Sequence, residues 1–586
     1  MKQNLKQTAR ERFAAMTLFL LICLPFSLVQ AQTVKVNGRV TDDLNEPMIG
    51  VSIVEKGTAN GCITDIDGNY TLNVKQGATL VYSYIGYVAL ERKAVAGVMN
   101  IILKEDAQAL DEVVVVGYGV QKKSSVTGAI SQVKSEDIQN RSITRAEEAL
   151  QGKTAGVQLV STTSQPGSSP TIRIRGFSSN GTSDPLYVVD GLIVNDLSSI
   201  DPNNIKSMEV LKDAASAAIY GAQAGNGVVL ITTKSGSQGT SSISYDFQYS
   251  INSLARRPEL LNSQEYLTQM KEADPTFTDV NIRELISNGV WDGVSSTDWY
   301  DVAFNASPAS RHTVTFQGAN DKGSYFLSLN NLYDNGIIRE DRDTYKRLSV
   351  MLNADYKIKP WLKVGTTANY ANYTSKAISD GSGGTSYVSM IATVMTLAPY
   401  IADTYPADAL PTQMQAQIAN GFTLLQNANG DYYSCLGTME QVHPMVAIRM
   451  NDKKNTGNSL MGTLYANFTP IKDLVFTTRL GYRIATDNTY THNNLYYGSA
   501  SASNKDRNGV TRTSLSTTYY QWENFVNYNT TLLDTHNISA MLGMSYSQSD
   551  QIYVSAGVDK IAKDNLLYAD VDWPAGDAVK STGGHN

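Results

Sequence analysis

The stretch Ile243-Ser244-Tyr245-Asp246-Phe247-Gln248-Tyr249-Ser250-Ile251 alternates apolar and polar residues without a break. Successive side chains of an extended strand point to opposite faces, so this segment has one apolar face and one polar face. The same alternation recurs in residues 348–356, 362–368, 460–468, 474–484 and 538–546. The region 237–586 is therefore predicted to form antiparallel strands, either of a barrel or of a sandwich.

The connections between these strands separate the two possibilities, because short and long links alternate. The short links are 319–322, 357–360, 470–473 and 534–537, the long ones are 254–310, 374–457 and 487–514, and 334–344 is moderate. An outer-membrane barrel has short periplasmic turns and long external loops, whereas a soluble sandwich has no reason to keep this parity. We therefore expect part of a transmembrane barrel with about nine strands and with its short links on the periplasmic side.

The length, charge and hydropathy of the chain limit its domain organisation and its possible partners. A chain of 586 residues is too long for one compact domain. Its formal charge of −7 gives no basic footprint for nucleic acid, so no nucleic-acid partner is expected. After the N-terminus, no segment has the ~18 consecutive apolar residues of a membrane helix, while alternating barrel strands suit a mean hydropathy of −0.23.

The N-terminal third contains two recognisable segments. Residues 1–31 have the basic start, apolar run and Val29-Gln30-Ala31 ending of a secretory signal peptide. Residues 32–105 contain short strand patterns separated by Gly, Asn and Asp turns, which predict a small β-sandwich. Asp65, Asp67 and Asn69 lack the spacing of a calcium loop, so a plain hairpin turn is expected there and no metal site.

Residues 106–119 contain an extended segment with no core of its own. It reads Leu110-Asp111-Glu112-Val113-Val114-Val115-Val116-Gly117-Tyr118-Gly119. Four consecutive valines favour a strand, and an isolated strand can add itself to the sheet edge of another protein. The alternative is an ordinary buried strand of the preceding domain.

Residues 120–236 combine helix and strand patterns and carry the most specific motifs. A helix is predicted over 142–151 and a short one over 213–220, with strands at 172–176, 186–189 and 228–233. The motifs are Gly152-Lys153-Thr154-Ala155-Gly156-Val157, Ile172-Arg173-Ile174-Arg175-Gly176, Tyr187-Val188-Val189-Asp190-Gly191, Val210-Leu211-Lys212-Asp213-Ala214, Ile219-Tyr220-Gly221 and Asn226-Gly227-Val228-Val229. In this order they resemble the plug domain of SusC/RagA-type TonB-dependent outer-membrane transporters, and we refer to residues 120–236 as the plug region.

The resemblance implies a mainly β architecture: a carboxypeptidase-regulatory-like β-sandwich, a TonB-box-like segment at 106–119, an α/β plug and part of an antiparallel transmembrane β-barrel over 237–586. It also implies an outer-membrane location with the N-terminal domain in the periplasm. TonB would pair with residues 110–118, a SusD-type surface lipoprotein would cap the external loops, and the cargo would be glycans or peptides. About nine strands is roughly half of the 22 of a plugged transporter, so we expect a truncated or split member of the family.

Two other hypotheses stay open beside TonB-dependent import. The chain is alternatively a non-transporting periplasmic or surface binding protein, or a non-functional truncated remnant. An enzyme is not expected, because all five histidines follow the plug region and neither a phosphate-loop spacing nor a His-Glu metal motif occurs, and no cofactor is expected. Candidate ligand contacts in the external loops are Trp291, Trp299, Tyr432 and Tyr433, since aromatic faces suit sugar rings, although a loop core would explain these residues equally well.

Overall fold

The computed structural model describes residues 33–562 and 580–585, apart from 43–45, 59, 85–86, 88, 105–112, 117–118, 123–129, 140, 162, 164, 178–182, 238–240, 379–388, 437–440 and 533–535. The chain divides into two compact units, residues 1–114 with 120–126, and residues 115–119 with 127–586. None of the helices in the described part of the chain has the length and apolar character needed to span a bilayer. The signal-peptide prediction lies outside the described residues.

The first unit is a β-sandwich, as predicted. Its strands are β1 (Thr33–Thr41), β2 (Ser52–Glu55), β3 (Gly61–Ile63), β4 (Asn69–Lys75), β5 (Thr79–Ser83), β6 (Leu90–Lys93), β7 (Gly97–Val98) and β8 (Ile101–Ile102). One sheet has the order β4-β1-β7 with β8 also on β1, and the other has the order β3-β2-β5-β6. Val36, Ile53, Leu80 and Tyr82 are fully buried in the core. The alternating burial along β4 shows why a period of two predicts this fold.

The loop before β4 is a hairpin turn. One carboxylate oxygen of Asp65 accepts hydrogen bonds from the backbone N–H groups of Asp67 and Asn69, at 3.0 and 2.8 Å. A carboxylate that holds its own backbone in this way is the usual device of an Asx turn.

Gly68 in this turn gives a test of local strain. Its φ is +77°, and an added Cβ would lie 2.5 Å from the carbonyl oxygen of Val40. Gly77 has a φ of +79° but nothing within 4 Å of an added Cβ. Both Gly→Ala changes carry the left-handed penalty of about 1–2 kcal/mol, and only Gly68→Ala adds a backbone clash. We expect the first unit of Gly68→Ala to unfold at lower denaturant than that of Gly77→Ala, and equal midpoints would contradict this assignment.

The valine segment forms β9 (Val113–Val116), which pairs with β10 (Gly119–Lys122) in a two-stranded sheet of its own. Within the described residues, neither strand belongs to the two sheets of the first unit. The segment is thus separate from the sheets of the preceding domain, while residues 113–114 and 120–122 group with the first compact unit. Leu110, Asp111, Glu112, Gly117 and Tyr118 lie outside the described residues.

The plug region is built on a five-stranded sheet of order β11-β16-β17-β14-β15. Its strands are β11 (Ile130–Lys134), β14 (Leu186–Val189), β15 (Leu192–Val194), β16 (Ile205–Leu211) and β17 (Val228–Thr233), and β12 (Val157–Val160) pairs separately with β13 (Thr171–Ile174). Two short helices accompany them, α1 (Ser135–Gln139) and α2 (Ala214–Ala217). A 3-10 helix, Ala218–Ala224, follows α2 and is kinked at Gly221, so the helix predicted over 213–220 is only partly α-helical.

The helix predicted over 142–151 is wrong for most of its length. Only a 3-10 helix, Ala146–Leu150, forms, and Arg145 before it is extended. The preceding residues are held by the large sheet, because Arg311 donates to the carbonyl of Ile143 and the hydroxyl of Thr144 donates to Asp334 at 2.8 Å. These tertiary contacts override the helical pattern.

The remainder of the chain forms a ten-stranded antiparallel sheet, whereas the sequence pattern predicts about nine strands. In order along the sheet these are β18 (Ser242–Asn252), β19 (Ser307–Asn320), β20 (Gly323–Asn335), β21 (Thr344–Lys359), β22 (Leu362–Lys376), β25 (Asn451–Ile471), β26 (Leu474–Asn493), β29 (Val510–Leu532), β30 (His536–Val558) and β31 (Lys580–His585). The tenth, β31, is the short segment in which no alternation is present in the sequence.

The long links fold into a helical layer with its own hydrophobic core. It contains α3 (Ser263–Ala273), α4 (Asp279–Ser287), α5 (Trp299–Ala303), α6 (Met390–Thr396), α7 (Thr412–Ala419) and α8 (Pro444–Ala447), and the strand pairs β23 (Thr404–Tyr405) with β24 (Tyr432–Tyr433) and β27 (Tyr496–Ser499) with β28 (Ala502–Asn504). Val394, Ala398 and Val442 are among its fully buried residues. The long links are thus ordered structure at one end of the sheet.

Candidate functional site: the plug interface and the coupling segment

The hydrophobic core of the plug region is nearly self-contained. Among the described residues, its main cluster of buried side chains takes one member, Met461, from the large sheet. Besides Met461 and the partly buried Tyr519, the inner face of the sheet meets the plug region through a buried ion pair and several hydrogen bonds. An interface of this kind can separate with little exposure of the plug core, because most of that core's buried apolar side chains lie within the plug region itself.

The strongest of these contacts is a buried ion pair. Nη2 of Arg347, on β21, lies 2.8 Å from a carboxylate oxygen of Asp201, and the two side chains are 1% and 0% exposed. The same guanidinium donates to the carbonyl of Ser198 at 2.9 Å. On the next strand, the amide of Asn369 donates to the carbonyl of Ser199 at 2.8 Å. Residues 198–201 are thus fixed to the sheet by the charge-assisted hydrogen bonds of Arg347, the stronger class of hydrogen bond, and by the neutral one from Asn369.

A second group of contacts lies at the end of the sheet from which the long links leave. There Arg311 and Asp334 hold Ile143 and Thr144, as described above. Burial raises the pKa of the neighbouring plug carboxylate Glu148.

A third group surrounds the tight turn Asp190-Gly191. The amide of Gln521, on β29, donates to the carbonyl of Gly191 at 2.9 Å and accepts from the N–H of Ile193 at 3.1 Å. Gly191 has a φ of +87°, which favours glycine, and the guanidinium of Arg479 lies where an added Cβ would be. The carboxylate of Asp190 accepts from the hydroxyl and N–H of Thr233 at 2.6 and 3.0 Å. Burial raises the pKa of Asp190, and the hydrogen bonds from Thr233 oppose that shift.

The four aromatic candidates for ligand contact do not form an exposed surface. Trp299 and Tyr433 are 1% and 4% exposed and belong to the core of the helical layer, and Trp291 is 5% exposed. Trp299 and Tyr433 both pack on the buried ring of His443, at centroid distances of 5.1 and 5.2 Å. The burial of Trp299 and Tyr433 fits the loop-core alternative, and ligand contact by the four residues, among them the half-buried Tyr432, stays a prediction.

The link between β20 and β21 contains a pH-sensitive group. Asp343 is 2% exposed, and burial raises its pKa to about 7, although the N–H of Ile338 donates to it at 3.1 Å. A carboxyl whose pKa is higher in the folded state favours folding below its unfolded pKa, and this contribution is lost as pH rises through about 7.

We therefore expect amide exchange of residues 336–343, corrected for the intrinsic rate, to be less protected at pH 8.5 than at pH 5.5. The Asp343→Asn variant keeps a neutral side chain and is expected to lose this dependence. The same pH dependence in both proteins would assign it to another group.

Sequence reasoning missed the interface residues Arg347, Asp201, Arg311 and Gln521. The available signal was weak, since Arg347 and Gln521 simply occupy polar-face positions of alternating strands. Their partners lie 146 and 330 residues away in the chain, so no local pattern joins them.

Comparisons with known proteins agree with this arrangement. The TonB-dependent Receptor Plug Domain family matches residues 122–228, and the CarboxypepD_reg-like domain family matches residues 36–115. The TonB-dependent receptor SusC of Bacteroides thetaiotaomicron is 34% identical over 488 residues, which cover 80% of this chain and 47% of SusC. The TonB-dependent receptor P3 of Formosa agariphila is 30% identical over 568 residues, covering 95% of this chain and 52% of P3.

A comparison with solved structures also finds a protein of this fold. The structure of the RagAB peptide importer in its open-open state superposes with a TM-score of 0.66 at 23% identity, covering 81% of this chain and 53% of that one. The chain spans about half the length of the curated relatives it matches. These relatives are outer-membrane receptors rather than enzymes. The chain belongs to the SusC/RagA-type family of TonB-dependent receptors.

Proposed function

We propose that this chain acts in TonB-dependent import across the outer membrane, with the plug region as the gate. The observation that carries this proposal is the nature of the plug interface: a self-contained plug core held to the sheet mainly by polar contacts. Such contacts can exchange for water, whereas continuous hydrophobic packing would have to be exposed on release.

The coupling element of the proposal is the segment 110–118. A two-stranded sheet leaves one backbone edge of each strand available for a further strand, so β9 could accept a strand of TonB at its outer edge. Force applied there would reach the plug region directly along the chain, because β11 begins at Ile130.

The cargo we propose is a glycan or a peptide, and a SusD-type surface lipoprotein is the proposed partner at the long links. The matched relatives support these classes, since one is SusC and another is a peptide importer. The ordered helical layer supports a docking role for the long links, because a partner would meet a surface with its own core.

A fractionation experiment distinguishes import from the two alternatives, a non-transporting binding protein and a non-functional remnant. Cells that express the native locus are fractionated and probed with an antibody to the plug region. Import predicts the protein in the outer membrane and its extraction only with detergent. A water-soluble product would favour the binding protein, and recovery of only degraded fragments would favour the remnant.

A further inference from the structure

A row of basic side chains crosses the outer face of the large sheet at the end of the long links. Lys376 of β22 pairs with Lys454 of β25, which pairs with Tyr490 of β26, which pairs with Arg512 of β29. Lys376, Lys454 and Arg512 are all exposed. Lys346 of β21 lies one row further along, opposite Thr374. We call these four cations the basic rim.

The alternation of side chains along each strand shows which face of the sheet carries the basic rim. Tyr370, Leu460 and Tyr520 are spaced by even numbers from the rim residues of their strands and are 39%, 39% and 45% exposed. The odd-spaced neighbours Ala371 and Met461 are buried on the inner face. Because residues two apart lie on one face, the rim points outward, on the same side as the apolar residues.

The rim carries an electrostatic cost in the protein alone. Lys376 and Lys454 stand directly opposite each other on neighbouring strands, and like charges in this position destabilise a sheet. Within the described part of the chain, neither ammonium group has an ion-pair partner. Two of the cations lie over aromatic rings, Arg512 at 5.3 Å from the centroid of Tyr490 and Lys346 at 5.0 Å from that of Tyr333. An anion bound across the row would relieve the repulsion.

A polar collar separates the rim from the apolar band. Its two rows are Thr374, Thr456, Asn488 and Ser514, then Asn372, Asn458, Thr486 and Ser516. At about 3.3 Å per residue, the four residues from rim to Asn372 span roughly 13 Å along the strand, less along the normal because barrel strands tilt. That height exceeds the polar region of a plain phospholipid leaflet, which is about 5–8 Å deep. The acidic groups on this face are already engaged: Asp452, two residues before Lys454, pairs with Arg342, and Asp550, opposite Thr518, accepts a hydrogen bond from Gln548.

We propose that the basic rim binds the phosphate groups of a phosphorylated glycolipid of the external leaflet, of the lipid A type. The cations of the rim would pair with the phosphates, and the amides and hydroxyls of the collar would hydrogen-bond to sugar hydroxyls. Tyr370, Leu460 and Tyr520 would contact the acyl chains. A plain phospholipid would supply a phosphate without the sugar layer that fits the collar. This site is separate from the import path, because the rim faces away from the plug region.

The test is binding of lipid A to the full chain purified in detergent. The probes are bisphosphorylated lipid A, the same lipid without phosphates, and phosphatidylglycerol. The triple variant Lys376→Ala, Lys454→Ala, Arg512→Ala is expected to bind bisphosphorylated lipid A about tenfold more weakly, the sum of three exposed ion contacts. The control variant Lys357→Ala, Lys359→Ala removes two exposed lysines at the short-link end of β21 and is expected to bind like wild type.

A second variant distinguishes the loss of positive charge from damage to the fold as the cause of weaker binding. Lys376→Arg, Lys454→Arg keeps both charges and is expected to retain binding, while the wild-type protein is expected to lose it with the phosphate-free lipid. Undiminished binding by the triple alanine variant would overturn the proposal. Equal affinity of the wild-type protein for phosphatidylglycerol would also overturn it, because the surface would then select only negative charge. Lipid A binding does not depend on whether the chain imports cargo, so a failure of this proposal can be told apart from a failure of the proposed import function.

Discussion

Replacing Arg347 by alanine is expected to cost about 3–5 kcal/mol of stability at the plug interface. The reason is the complete burial of Asp201, which would lose its ion-pair partner in a site without access to water. The carbonyl of Ser198 would also lose a charged donor. The change should appear as loss of amide protection around residues 198–201 and as a lower unfolding midpoint of the second compact unit.

Two controls separate the ion pair from general damage to β21. Lys346→Ala changes the exposed neighbouring residue and is expected to stay within about 0.5 kcal/mol of wild type. The double variant Arg347→Met, Asp201→Leu replaces both charges by apolar groups and is expected to recover most of the loss, since removing a whole buried pair is often nearly neutral. A loss for Arg347→Ala no larger than that for Lys346→Ala would show that the pair does not hold the plug region.

Deleting residues 110–116 is expected to abolish uptake while surface binding of the ligand persists. Ligand binding depends on the long links and the plug, whereas the deletion removes the only strand that we assign to TonB pairing. Uptake of labelled cargo and its binding to whole cells are measured side by side, in a complete and active form of the transporter.

Strand formation, rather than side-chain identity, is the property that this segment should need. Replacing Val113, Val114, Val115 and Val116 by isoleucine keeps the β-branched character, and uptake is expected to continue. A proline at Val115 removes a backbone donor from the centre of the strand and is expected to behave like the deletion. Uptake that survives the deletion would refute the coupling role.

The sequence predicted the large sheet because lipid-facing and inward-facing residues differ in polarity along most of each strand. The prediction failed where that difference vanishes. Towards the long links both faces are polar, as in Asn451–Ile471 before Leu460, so the strands extend further than the alternation does. The last strand, Lys580–His585, contains no apolar residue and is recognised only by its pairing with β30.

The contacts between the plug region and the large sheet could not be predicted from the sequence as well as the fold could. An arginine at a polar-face position of a strand is compatible with solvent, a pore or a buried partner, and only the folded chain brings Arg347 to Asp201. The aromatic residues of the long links are ambiguous in a different way. A tryptophan such as Trp299 satisfies the composition of a binding loop, yet it fills the core that keeps that loop ordered.

Site-specific cross-linking of the valine strand to TonB tests the central claim most directly. Single cysteines at Val113, Val114, Val115 and Val116 are paired in cells with cysteines in the periplasmic domain of TonB, with and without cargo. Disulfide cross-links to this strand are expected, and their yield should increase when cargo is bound. Absence of cross-links at all four positions, in a transporter that still imports its cargo, would contradict that claim.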